Sequence, residues 1–154
     1  MRTIGIRVSP KCIFYCVCEK KSDQVEIVNV DKIIVPVKMD IQFQLRHIKT
    51  NVISILKEYD ITKVGIRATE NNARSISIPR VYMEGVIIET LADSSVQGFY
   101  IGTINKIASL LNEESKMIKQ YVNNTINFKN IKGWDKFSAE NRESIMTAYA
   151  AYNL

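Results

Sequence analysis

Three prolines, six glycines and a single tryptophan among 154 residues leave little material for a loop-dominated or repetitive chain. That scarcity excludes a collagen-like or low-complexity tract, and an apolar content of 46% excludes intrinsic disorder. Long hydrophobic runs are also missing. The longest, residues 13–18 and 86–88, fall far short of the ~18 apolar residues that a membrane span requires. No charged stretch followed by an apolar core opens the chain, so no secretory leader is read and no membrane partner is expected. Histidine is represented by His47 alone, on an amphipathic segment where it has no nucleophile to serve. Cysteine is limited to Cys12, Cys16 and Cys18, an odd count within one apolar run. On a strand these three share a face with Phe14. A zinc site asks for about four ligands at loop or hairpin spacing, so the thiols read as small buried hydrophobes of a reduced, cytoplasmic setting.

What the chain does have is charge of uneven placement. Lys and Arg number 21 against 16 Asp and Glu, a net charge of +5. Residues 1–77 carry 13 basic and 8 acidic side chains, whereas residues 78–154 carry eight of each, so the first half holds the whole excess. Such a balance is compatible with a surface that faces nucleic acid, and it also occurs in proteins that bind none. The length fits one domain over residues 1–154, large enough to bury roughly two-thirds of its chain surface without a staple or metal.

Periodicity changes along the chain. Residues 3–8 alternate, with Ile4, Ile6 and Val8 on one face and Gly5 and Arg7 on the other. Ser9-Pro10-Lys11 reads as a turn, residues 11–19 as a second strand rich in β-branched and aromatic residues, and residues 24–37 as a third. Short connections make these an antiparallel meander. From Asp40 onward Ile41, Leu45, Ile48, Val52, Ile55 and Tyr59 follow helical spacing, with Asp40 as N-cap. A fourth strand follows over residues 61–68, then a helix over 71–91 that Pro79 is expected to kink or split. The remainder reads as a fifth strand over 97–101, helices over 103–111 and 114–122, and a last helix over 138–152. Three meander strands followed by α/β alternation imply an α/β fold: a five-stranded mixed sheet with helices on both faces.

This layout resembles the ribonuclease H-like fold, in particular its RuvC-type Holliday-junction resolvase branch, and is similar to a small bacterial family of the same layout. The likeness spans nearly the whole chain on weak individual motifs. Thr3-Ile4-Gly5-Ile6-Arg7 resembles a first strand that in the nucleases ends in Asp. Val64-Gly65-Ile66-Arg67-Ala68-Thr69-Glu70 resembles the fourth strand, Met83-Glu84-Gly85-Val86-Ile87 part of the following helix, and Tyr100-Ile101-Gly102-Thr103-Ile104-Asn105-Lys106 a fifth-strand segment ending in Lys. Glu143-Ser144-Ile145-Met146-Thr147-Ala148 resembles the closing helix.

The chemistry implied by the resemblance is hydrolysis by two Mg²⁺ ions held among three or four carboxylates. Carried over residue by residue, the first-strand acid falls on Arg7, the fourth-strand acid on Arg67 and the last-helix acid on Ser144, with its partner near Asn141 or Glu140. Guanidinium groups repel a metal pair. The expectation is therefore a catalytically degenerate domain, a pseudonuclease that binds nucleic acid or serves as an accessory subunit and needs no cofactor. Arg7, Arg67, Lys106 and Arg74 are the candidate nucleic-acid contacts, and the two central arginines either grip phosphate or pair with Glu70, Glu140 or Glu143. Two alternatives stand beside it. One is an active Mg²⁺ nuclease built from the displaced acids Glu70, Glu140 and Glu143. The other is a purely structural subunit that contacts another protein, for which Tyr149, Tyr152 and an exposed Trp134 loop offer weak support. Arg80 with residues 71–74 reads as a polar rim or, more simply, a solvated helix start. The resemblance also implies a homodimer across helices.

Overall fold

Alternation carries the chain through three strands before the first helix. In the computed structural model, which describes residues 1–22, 24–70 and 75–154, β1 (Arg2–Val8), β2 (Cys12–Lys21) and β3 (Gln24–Ile34) pair as the antiparallel meander. The third strand stops short of its expected end. Pro36 brings no N–H to a ladder, and Val35 N donates instead to Lys11 O in the β1–β2 turn at 2.9 Å. Helix α1 (Ile41–Glu58) returns the chain so that β4 (Ile61–Arg67) lies parallel to β1. Then come α2 (Ile78–Ala92), β5 (Gly98–Gly102) parallel to β4, α3 (Ile104–Leu111), α4 (Ser115–Val122), two 3-10 turns (Phe128–Asn130 and Trp134–Lys136) and α5 (Ala139–Ala151). The sheet order is β3-β2-β1-β4-β5, a mixed five-stranded α/β sheet as the periodicity implied.

The two faces of the sheet bury separate cores. On one, Ile4, Ile6, Val8, Ile13 and Val17 meet Ile48, Val52 and Ile55 of α1 and Met83, Ile87 and Leu91 of α2. On the other, Cys16, Cys18 and Tyr100 meet α3, α4 and above all α5, which is buried around nearly its whole circumference. A helix can lie this close because the strands beneath it are stripped of side chains. A Cβ on Gly5 would fall inside Ser144 O and Ala148 N, and one on Gly65 would come to 2.6 Å from the Tyr100 ring and 2.7 Å from Thr147 O. Thr3 Oγ1 donates to Ala148 O at 2.8 Å, and Tyr100 Oη donates to Thr147 O at 3.0 Å. The three thiols are free; Cys16 and Cys18 are buried with their sulfurs 3.6 Å apart.

Two expectations are corrected. Pro79 does not kink a helix: α2 begins at Ile78, so Pro79 sits in its first turn, where the missing N–H has no intrahelical partner to lose. Trp134 is not exposed. Its ring is buried to 1%, with Nε1 donating to Tyr121 O at 3.2 Å, and its polar sequence neighbours Gly133, Asp135 and Lys136 conceal that role. Tyr149 is likewise in the core, donating through its hydroxyl to Val25 O at 2.9 Å. The aromatic residues of this region hold the fold together. Among the described residues no helix is long and apolar enough to cross a membrane.

Candidate functional site

Parallel strands in register present paired residues on the same face. Arg7 and Arg67 are such a pair, opposite each other at the carboxyl ends of β1 and β4. Both turn toward the first turns of α5, where Glu143 receives them. Its Oε2 accepts from Arg7 Nε and lies 3.7 Å from Arg67 Nε. Arg67 also reaches Glu70, with Nη2 to Oε1 at 3.0 Å, and Glu70 Oε1 accepts from Ile104 N at the start of α3 at 3.3 Å. Main chain holds one terminal nitrogen of each arginine: Arg7 Nη1 donates to Val8 O at 2.7 Å and Arg67 Nη1 to Ala68 O, while Arg67 Nε is buried without a hydrogen-bond partner. The cluster is sealed around Glu143 and opens at Glu70: the Arg67 side chain is 5%, Glu143 13% and Glu70 38% exposed.

A further ion pair lies nearby. Arg80, in the first turn of α2, donates through Nε to Glu84 Oε1 at 3.1 Å, and Thr69 Oγ1 donates to the same oxygen at 2.7 Å. Burial pulls the Arg80 guanidinium below its ordinary value, and the neighbouring positive charge of Arg7 pulls it further. Beneath Arg67, burial pushes the Tyr100 hydroxyl well above its usual range. Among the described residues three guanidiniums and three carboxylates thus gather at one end of the sheet, and their formal charges cancel.

Four of the sequence candidates come together here: Arg7, Arg67, Glu70 and Glu143. Glu140 lies one turn earlier on α5, half-buried and without an ion pair among the described residues. Ser144 is buried and its hydroxyl donates back to Asn141 O at 2.8 Å, so Glu143 is the helix residue that faces the arginines. Lys106 is exposed in the first turn of α3. Arg74 lies outside the described residues. Thr69 and Glu84 enter the site without having been singled out; the i,i+4 spacing of Arg80 and Glu84 was the available signal.

The two-metal centre that this fold class implies needs carboxylates free to converge on hard cations. The donor set present does not fit it. Each of the three carboxylates here is already paired with a guanidinium, and among the described residues no three His, Cys, Asp or Glu side chains group closely enough to hold a metal ion.

Sheet order, the parallel β1–β4–β5 half and the buried closing helix define a ribonuclease H-like fold of the resolvase layout. Solved structures agree. Thermus thermophilus RuvC superposes with a TM-score of 0.74 over 99% of this chain and 94% of its own at 10% identity, and T. thermophilus RuvC in complex with Holliday junction substrate with a TM-score of 0.70 at the same identity and coverage. The fowlpox virus resolvase bound to substrate Holliday junction DNA gives a TM-score of 0.56 at 14% identity, covering 100% of this chain and 99% of its own. No family model matches the sequence, and no curated protein matches it.

Proposed function

We propose that this chain is a nucleic-acid-binding domain on the ribonuclease H-like scaffold, that branched DNA is its ligand, and that an ion-pair network stands in place of the scaffold's two-metal chemistry. The observation that carries the reading is the in-register pair Arg7 and Arg67, locked onto Glu143 and Glu70 where the nucleases gather their acids. Full-length likeness to resolvases solved with Holliday junction DNA and the net charge of +5 support DNA as the ligand. In this reading Arg7 and Arg67 hold the end of the sheet closed through their ion pairs with Glu143 and Glu70. Lys106, exposed on α3 beside them, makes the phosphate contact.

A second copy of the chain is the proposed protein partner. Ile78, Val81 and Tyr82 form an exposed apolar stripe on α2, and Gly85 continues it with open space above its Cα, so another helix can approach closely.

The test is a titration of the purified protein on a four-way junction and on its duplex arm across a salt series, with Mg²⁺ or Mn²⁺ supplied. The expected result is salt-dependent binding that leaves the junction intact. Metal-dependent cleavage that disappears in Glu143→Gln would establish the active nuclease instead. Absence of binding at low salt would leave the structural-subunit reading.

A further inference from the structure

The same end of the sheet carries a second feature that the ion-pair network does not explain. β3 runs parallel to β1 across the meander, so the segment after Ile34 emerges at the end that bears Arg7, and the Val35–Lys11 hydrogen bond ties it there. Beside the first turns of α1 this segment frames an open cavity of about 570 Å³ lined by Lys38, Met39, Phe43, Arg46, His47 and Asn51, among others. Phe43 is 43% exposed. It lies off the stripe of Ile48, Val52, Ile55 and Leu56 with which α1 meets the core, so packing gives no reason for an aromatic ring there. The Arg46 guanidinium stands over that ring, its carbon 5.1 Å from the centroid. Asn51 is held by donating to His47 O at 2.8 Å, which leaves its amide oxygen available. Asp40 is the one acid in the lining, against Lys38 and Arg46.

We infer that this cavity receives an unstacked nucleobase of a DNA strand, which stacks on Phe43 while Arg46 and Lys38 meet the flanking phosphates. The inference rests on the nucleic-acid reading above and adds to it a position at which an unpaired base is held. Every base offers a π-face to an exposed aromatic, and a guanidinium beside the ring supplies both stacking area and positive charge. The adjoining cavity of about 520 Å³ shares His47 and Asn51 with the first and is lined by Asp31, Lys32 and Glu58.

Fluorescence of Phe43→Trp tests stacking directly, because the native Trp134 is 1% exposed and contributes a constant background. The probes are a single-stranded oligothymidylate and a four-way junction. Saturable quenching of the introduced tryptophan by the oligothymidylate is expected, at the concentrations where anisotropy of the labelled strand reports binding. Phe43→Ala should weaken that binding about tenfold, Phe43→Leu should not restore it, and Arg46→Gln with Lys38→Gln should weaken binding and flatten its salt dependence. Unchanged thermal midpoints in these surface variants show that the fold survives. Binding by Phe43→Ala equal to wild type, or an unquenched tryptophan on a strand that is bound, overturns stacking and leaves the DNA reading standing. A change of oligomeric state in Phe43→Ala with DNA affinity unchanged assigns the face to a protein contact and overturns it too. A wild-type protein that binds no probe at low salt overturns both readings.

Discussion

At the scale of single residues, Glu143 is the member of the site on which the others depend. Two guanidiniums converge on one of its oxygens inside a nearly closed cluster, and removing one partner of such a set leaves buried charge without compensation. Glu143→Ala should therefore lower the unfolding free energy by about 3–5 kcal/mol, read from denaturant midpoints; a loss no larger than that of an exposed pair, under ~1 kcal/mol, would show the cluster to be solvated. Gly5→Ala tests the helix seat in the same assay. With Ser144 O and Ala148 N inside the reach of a Cβ, overpacking of about 1–3 kcal/mol or more is expected, and near-neutral behaviour would mean that α5 can shift. Arg7 and Arg67 were legible from sequence because strand alternation leaves only two faces to choose from. The helix residue was legible only as one of several acids, Glu140 and Glu143 among them, with which the arginines could pair. One step along a helix turns a side chain by roughly 100°, so a weak motif match could not separate Glu143, which faces the arginines, from Ser144, which bonds its own helix.

The elements show where a hydrophobicity pattern is informative and where it is silent. Most of the strands and helices follow period two or period 3.6 closely enough to have been placed from sequence, whereas α5, buried around nearly its whole circumference, shows almost no helical period. The other exceptions are chain segments whose anchors are polar. Between α4 and α5 the chain runs through two 3-10 turns with Lys129, Asn130 and Gly133 at positive φ, and its order comes from Trp134 and Arg142. Arg142, 8% exposed, donates through Nε to Trp134 O at 3.1 Å, through Nη1 to Val122 O at 2.8 Å and through Nη2 to Asp135 O at 3.3 Å. Only a planar fork with several fixed donors can bind three carbonyls at once. Arg142→Lys should accordingly destabilise the protein by about 1.5–3 kcal/mol and raise amide exchange in residues 123–137 before the sheet; uniform exchange across the chain would assign Arg142 to the global core. On α2 the outward stripe makes a separate prediction. Val81→Glu should convert a dimer to monomers in sedimentation without altering the thermal midpoint of the monomer, and a wild-type chain that sediments as a monomer would remove the dimer.

For the molecule as a whole, the two cores on opposite faces of the sheet meet alkaline pH through their tyrosines. On the α1 side, burial first and then Asp31 push the Tyr15 hydroxyl up to about 12; on the α5 side, burial pushes Tyr152 up to about 12. An unfolded tyrosine ionises near ~10, so the folded state holds these protons longer than the unfolded state does. Their contribution to stability is complete below about pH 10 and is lost as pH rises from there toward 12. Lysine pairs also fail in this range, but Lys49–Glu89 and Lys21–Glu26 lie at the surface, where such pairs contribute little. Stability should thus be level through neutral pH and fall between about 10 and 12, and Tyr15→Phe combined with Tyr152→Phe should flatten that fall in pH-dependent denaturant midpoints. If the double variant declines as steeply as wild type, the loss arises instead at Tyr100 and Tyr149, whose hydroxyls burial also pushes well above their usual range.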